Sequence, residues 1–237
     1  SDYTISESIG TLEVTEYAGE ITVTTTGGTF TYDGQSHGAT VSVSTLPTGY
    51  TLETATSNDT ATHVAEGTVT ANCDTLIIRN AEGDDVTSRL NIKYVDDTIK
   101  INPATLTVVT PSASKVYDGD PLTAAGTIDG FVNGETATFK TTGTQTEVDS
   151  SDNTYSITWD KTAVESDYTV NATVGTLTVT ENADEIVVTT TGGEFTYDGK
   201  AHGATVSVST LPKGYTLVTA TSDDTATHVA EGPVTAN

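Results

Sequence analysis

Residues 21–47 read ITVTTTGGTFTYDGQSHGATVSVSTLP, and residues 186–212 read IVVTTTGGEFTYDGKAHGATVSVSTLP. Within this stretch apolar residues take every second position: Ile21 and Val23, then Ala39, Val41 and Val43, with Thr or Ser between them. A period of two is the spacing of a strand with one buried face. Thr suits the other face, because its β-branch packs on the pleat and its hydroxyl reaches water. Gly27-Gly28, Asp33-Gly34 and Leu46-Pro47-Thr48-Gly49 interrupt the runs with turn chemistry.

The likeness extends beyond the quoted stretch at a constant offset of 165, with 56 identities in 72 overlapping positions. Residues 21–72 and 186–237 differ at eight places, among them Gln35/Lys200 and Thr48/Lys213. Four of the eight exchange a polar for a charged residue, which is tolerated where water reaches the side chain. A fainter repeat lies inside the long one: Tyr32-Asp33-Gly34 is echoed by Tyr117-Asp118-Gly119 and Tyr197-Asp198-Gly199. SRLNIKYVDDTIKI from Ser88 aligns without a gap with SDYTVNATVGTLTV from Ser166. In both, the alternation slips by one residue, at Asp96-Asp97 and at Gly175, which predicts a turn or bulge before a final strand.

These patterns predict an all-β chain of small antiparallel, Ig-like sandwich modules in an elongated array, with a β-grasp-like module as the alternative. The expected boundaries are 1–17, closing strands of a preceding B module; 18–102, module A; 103–183, module B; and 184–237, a second A module lacking the counterpart of its last residues, Cys73–Pro103. The joints, Asn102-Pro103-Ala104 and Thr180–Glu185, are unlike a flexible Gly/Ser linker. Pro103 fixes one torsion and restricts its predecessor, so stacked modules are expected to be semi-rigid. Met is absent, which suggests a window on something longer. At most a turn of 3₁₀ helix is expected, over Pro121–Gly130.

Of 237 residues 53 are Thr; Asp and Glu number 33 against 9 Lys and Arg, for a net charge of −24. Such a surface opposes nucleic acid and anionic membranes, both of which select basic faces. One cysteine excludes a disulfide within the chain.

FTYDGQSHG, GTVTAN, NAEGDDVTSRLNI and a closing GTLTV resemble MBG-type repeats, and KVYDGDPLT followed by GTIDGF resembles the related YDG type. Both occur in tandem arrays in large bacterial surface proteins. The resemblance implies an extracellular, surface-attached or secreted adhesin-like protein and carries over no catalytic residue.

Candidate chemistry is sparse. Tyr-Asp-Gly is weighed as a binding loop against a hairpin turn, and the hairpin is the stronger reading. Calcium candidates are Asp118 and Asp120, Asp149 and Asp152, and Glu82, Asp84 and Asp85; none has the spacing of an EF-hand. His37 and His63 recur as His202 and His228 and lack the partners of a zinc site, so they read as surface or turn histidines. Cys73 reads as a small buried hydrophobe, and Trp159 as core beside Ile157. Lys115 and Lys161 share the apolar parity and are the candidates for a lysine isopeptide cross-link, against a snorkelling role. Asn58-Asp59-Thr60 and Asn171-Ala172-Thr173 fit a glycosylation pattern that a Thr-rich chain carries by chance. No nucleophile elbow, metalloprotease helix or phosphate loop occurs, so no enzyme and no cofactor are expected.

The expected function is a stalk or fibre segment that holds a distal binding region away from the cell, its partners being neighbouring repeats of the same chain. The alternatives are a module that grips host glycan or protein by multivalency, and a filament subunit joined to other copies by strand exchange at sheet edges.

Overall fold

A computed structural model describes residues 2–13, 15 and 17–237. Among the described residues the chain is all-β, with short strands in several small sheets and four single turns of 3₁₀ helix at Val64–Glu66, Thr87–Arg89, Glu165–Asp167 and Val229–Glu231. Contacts divide it into two compact units: residues 1–106, 130–137 and 159–170, and residues 107–129, 138–158 and 171–237.

Over 18–102 (segment A) the strands are β1 (Glu20–Thr26), β2 (Gly28–Thr31), β3 (His37–Gly38), β4 (Thr40–Val43), β5 (Thr51–Thr56), β6 (Thr60–Ala61), β7 (Thr68–Ala71), β8 (Thr75–Arg79), β9 (Asn91–Val95) and β10 (Asp97–Asn102). Two three-stranded sheets, in the orders β4-β1-β9 and β2-β10-β7, are accompanied by the separate two-stranded pairs β3-β6 and β5-β8. The alternation of the sequence is kept: Ile21, Val23 and Thr25 are buried on β1, and Ile99 and Ile101 on β10. Ile21, Ile78 and Val86 pack together, with Val43, Leu46, Tyr50, Leu76, Leu90 and Ile92 around them.

The sheets are mixed rather than wholly antiparallel. β1 runs parallel to β9 from Glu20↔Asn91 to Thr24↔Val95, and β2 parallel to β10 from Gly28↔Ile99 to Thr31↔Asn102. Parallel neighbours need a long connection between them, and the residues from β3 to β8 supply it. The slip of alternation at Asp96-Asp97 is neither turn nor bulge. There the chain leaves one sheet and enters the other, and the opening strand does the same beside it at Gly27. Gly27 N–H donates to Asp97 Oδ2 at 3.0 Å. A Cβ on Gly27 would stand 2.2 Å from the Thr98 carbonyl oxygen, so the two crossings touch through backbone and only glycine fits.

Over 103–183 (segment B) the strands are β11 (Ala104–Val109), β12 (Ala113–Val116), β13 (Thr127–Asp129), β14 (Thr138–Thr141), β15 (Asp149–Asp152), β16 (Tyr155–Thr158), β17 (Tyr168–Thr173) and β18 (Thr176–Thr180). The strand orders β13-β11-β17 and β12-β18-β15 repeat the pattern, and β12 is parallel to β18. The glycine of the crossing is now on the other strand. Gly175 N–H donates to Thr110 Oγ1 at 3.1 Å, Thr176 N–H donates to Ser112 Oγ at 2.9 Å, and a Cβ on Gly175 would meet the Pro111 backbone at 2.3 Å. Pro121–Gly130 carries no 3₁₀ turn; part of it is β13.

Over 184–237 the strands are β19 (Val188–Thr191), β20 (His202–Gly203), β21 (Thr205–Val208) and β22 (Thr225–Ala226). β19 pairs with β21, and β20 with β22, in the registers of β1 with β4 and β3 with β6. Among the described residues no strand of this copy corresponds to β9 or β10. Val188 is 60% exposed where its counterpart Val23 is 0% exposed. In segment A the first strand is covered by Ile78, Val86 and the parallel strand β9. The closing strands expected over 1–17 are not formed among the described residues: Tyr3, Ile5, Ile9 and Leu12 are exposed with no sheet beside them. A strand needs neighbours for its backbone groups, and the same pattern at 166–180 has them. Ser1, Val14 and Glu16 of that expected segment lie outside the described residues.

Candidate functional site: the Tyr-Asp-Gly joints

The Tyr-Asp-Gly sequence is built alike in both A copies. Asp33 Oδ1 accepts the Gln35 N–H at 2.9 Å and lies 3.0 Å from His37 Nε2; Gly34 takes φ +74°, where side chains are strained. Asp198, Lys200 and His202 repeat this at 3.0 and 2.9 Å. The imidazoles of His37 and His202 stack on Phe30 and Phe195. The hydrogen bonds from the Gln35 N–H and from His37 hold the Asp33 carboxyl below the usual carboxylate range.

This loop is more than a hairpin turn, because it meets a second turn. In the first compact unit Tyr32–Gly34 packs on the turn Val132–Glu135. The turn is closed by Glu135 N–H to Val132 O at 2.9 Å, with Asn133 and Gly134 at φ +51° and +71°. Tyr32 Oη donates to Glu135 Oε1 at 2.5 Å, and Tyr168 Oη donates to Glu135 Oε2 at 2.8 Å. Tyr168 is the hub of a ring cluster: Tyr32 and Phe131 stand edge-on to it, and Trp159 stacks on it. Burial first, then Glu135, push the Tyr32 phenol above the ordinary tyrosine range. Burial, with the same carboxylate, pushes Tyr168 up to about 12.

Beside this cluster a carboxylate caps a 3₁₀ turn. Asp167 is fully buried; its Oδ1 accepts the Val64 N–H at 2.8 Å, and its Oδ2 lies 2.7 Å from His63 Nδ1. Glu66 Oε1 accepts the N–H groups of Thr62 and His63. The hydrogen bond to Asp167 raises the His63 pKa against the opposing effect of burial. A buried carboxylate demands such partners. His63, expected on a surface or turn, is thus hydrogen-bonded to a buried carboxylate 104 residues away in sequence. The sequence carried one sign of it: in the ungapped alignment Asp167 stands where segment A has Arg89.

The second compact unit holds a joint of the same plan. Tyr117–Gly119 packs on the turn Pro212–Tyr215, closed by Tyr215 N–H to Pro212 O at 3.2 Å. The Tyr117 ring is edge-on to Tyr215 with centroids 5.2 Å apart, and a Cβ on Gly119 would lie 3.0 Å from the Gly214 Cα. Lys213 forms an ion pair with Asp120, and Lys115 forms one with Asp118 at 2.5 Å.

Residues 106–178 match the family model of the MBG domain, YGX type. This segment is an MBG module. No curated protein matches the chain. The MBG module contributes to both joints, with Glu135, Asp167 and Tyr168 at one and Tyr117–Asp120 at the other. The match falls on the segment whose KVYDGDPLT and GTIDGF resemble the YDG type.

The remaining candidates do not converge. Among the described residues no three His, Cys, Asp or Glu come together in a way that could hold a metal ion. Asp118 and Asp120 face Lys115 and Lys213, Asp149 accepts from the Ser150 N–H, and Asp152 sits at the other end of β15. Asp85 caps the Thr87 turn, while Glu82 and Asp84 donate their N–H groups to Asn80 Oδ1. The Lys115 ammonium donates to Asp118 and to the Asp120 carbonyl, and Lys161 is exposed. Cys73 is half-buried and its thiol is pushed up by burial. Trp159 is half-buried in the first joint rather than in a sheet core.

Proposed function

We propose that the chain is a structural, non-enzymatic stalk or fibre region of a bacterial cell-surface adhesin-like protein, extracellular, carrying a distal binding region on modules A (18–102), B (103–183) and A again (184–237). The observation that carries this reading is the reuse of one pair of loops: Tyr-Asp-Gly of one segment meets the glycine turn of the next at both joints. A repeated joint suits a polymer whose reach is set by the number of modules, each contacting chiefly its neighbours. The MBG match supports the surface assignment, and a net charge of −24 suits a spacer that repels like chains. The partners are the adjoining repeats.

The test is to build proteins with one, two and three tandem 165-residue units and measure their contour lengths by electron microscopy. Equal increments per unit are expected. A length that stays constant as units are added refutes the stalk.

A further inference from the structure

We propose that the joints are selective for the kind of module that follows: the face around Tyr32 and His63 accepts an MBG module and rejects a second A-type module. The inference rests on the stacking reading only in taking the neighbouring repeats as the partners. The receiving face closes its polar groups against two carboxylates. Glu135 takes the hydroxyls of Tyr32 and Tyr168, and Asp167 takes His63 and the Val64 N–H. Both acids occupy positions that can be matched in segment A. The turn Val132–Glu135 has the same closing hydrogen bond as Pro47–Tyr50 and Pro212–Tyr215, which places Glu135 opposite Tyr50 and Tyr215. The 3₁₀ turn Glu165–Asp167 immediately precedes β17 as Thr87–Arg89 precedes Leu90 and β9, which places Asp167 opposite Arg89.

An A-type module in the same seat would bring a phenol ring where Tyr32 requires an acceptor. It would bring a guanidinium where His63 and the Val64 N–H require a carboxylate. Unmet donors in a closed site are unfavourable, and Arg beside a His that gains charge adds repulsion. The converse order is also disfavoured. All four histidines, His37, His63, His202 and His228, lie in the A copies, so an MBG module followed by another would bury its Asp167 counterpart without an imidazole. It would also set a Glu135 counterpart near Asp120, which stands where segment A has the uncharged Gln35. The Lys213–Asp120 pair is accessory, since position 48 of the first copy is Thr. Alternation of A and MBG modules thus follows from side chains at two positions.

The test uses the full chain with Glu135→Tyr and Asp167→Arg, the residues segment A carries, and reads single amides by hydrogen exchange in NMR. Val229 has the same sequence neighbours as Val64, so it serves as the reference within the molecule. In the parent chain Val64 should exchange at least about 10-fold more slowly than Val229, the size expected of a hydrogen bond to a charged group. In the double variant the two should exchange alike while the amides of β18 keep their protection. If β18 loses protection, Asp167→Leu, which removes the acceptor without adding a charge, replaces the pair, and there too Val64 should lose its excess. Val64 remaining slow with β18 intact, in either protein, would overturn the selectivity. This readout is local and does not depend on contour length, so a failed stalk and a failed selectivity are told apart.

Discussion

The side-by-side crossing at Gly27 supplies a prediction with its own control. In Gly27→Ala the new methyl carbon would stand 2.2 Å from the Thr98 carbonyl oxygen and 2.6 Å from its carbon, both backbone. Relief requires β10 to retreat by roughly an ångström, and β10 is held on both sides by β2 and β7. Overpacking of this kind costs about 1–3 kcal/mol. Ala stabilises by about 0.4–1 kcal/mol through the unfolded chain. The net expected loss is about 1–2 kcal/mol, or roughly 5- to 30-fold faster opening of the segment. The same glycine of the second copy, Gly192, has nothing within 4 Å of its Cβ direction, so Gly192→Ala should be neutral or slightly stabilising. Hydrogen exchange by mass spectrometry over 20–31 and 185–196 reads both sites in one molecule. Equal responses of the two copies would refute the claim that close approach of the crossing strands, rather than the local sequence, requires glycine at position 27.

Three further outcomes follow from the same geometry. Ile21→Ala empties a buried site and should cost about 2–5 kcal/mol in urea unfolding, whereas Ile186→Ala, at the exposed counterpart, should cost less than about 1 kcal/mol. Because the His63 pKa is raised by Asp167, its contribution to the joint is complete below the unfolded histidine value and is lost as pH rises through the folded one; His63→Gln should remove that step from a series of melting temperatures against pH. Tyrosinate absorbance should show Tyr168 ionising at about 12 and Tyr32 above the ordinary range, and Glu135→Gln should lower both.

Strand identity was legible because each strand has one wet and one dry face: Ile21 and Val23, Ile99 and Ile101, and Leu177 and Val179 all keep their parity in the fold. The slips at Asp96 and Gly175 were legible as events but not as changes of sheet, since a slip reports that a side chain has turned over and not which neighbour receives it. The parallel pairings were hidden for the same reason. At the joints, Tyr-Asp-Gly announced a turn through local chemistry, but its partner turn lies about a hundred residues away, and His63 finds Asp167 at a separation of 104. No local periodicity encodes such a pair. Comparing the two inner repeats position by position, and asking why an acid replaces Arg89, would have pointed to it.

The adjacency of the first and last strands of segment A sets how it answers a pull. The chain enters on β1 and leaves on β10, and these belong to two runs that lie alongside each other and point the same way. Tension applied at the two termini of the segment therefore slides one run along the other. The rungs between Glu20 and Thr31 on one side, and Asn91 and Asn102 on the other, are loaded in shear and must yield together, whereas a hairpin drawn open from its end gives way one rung at a time.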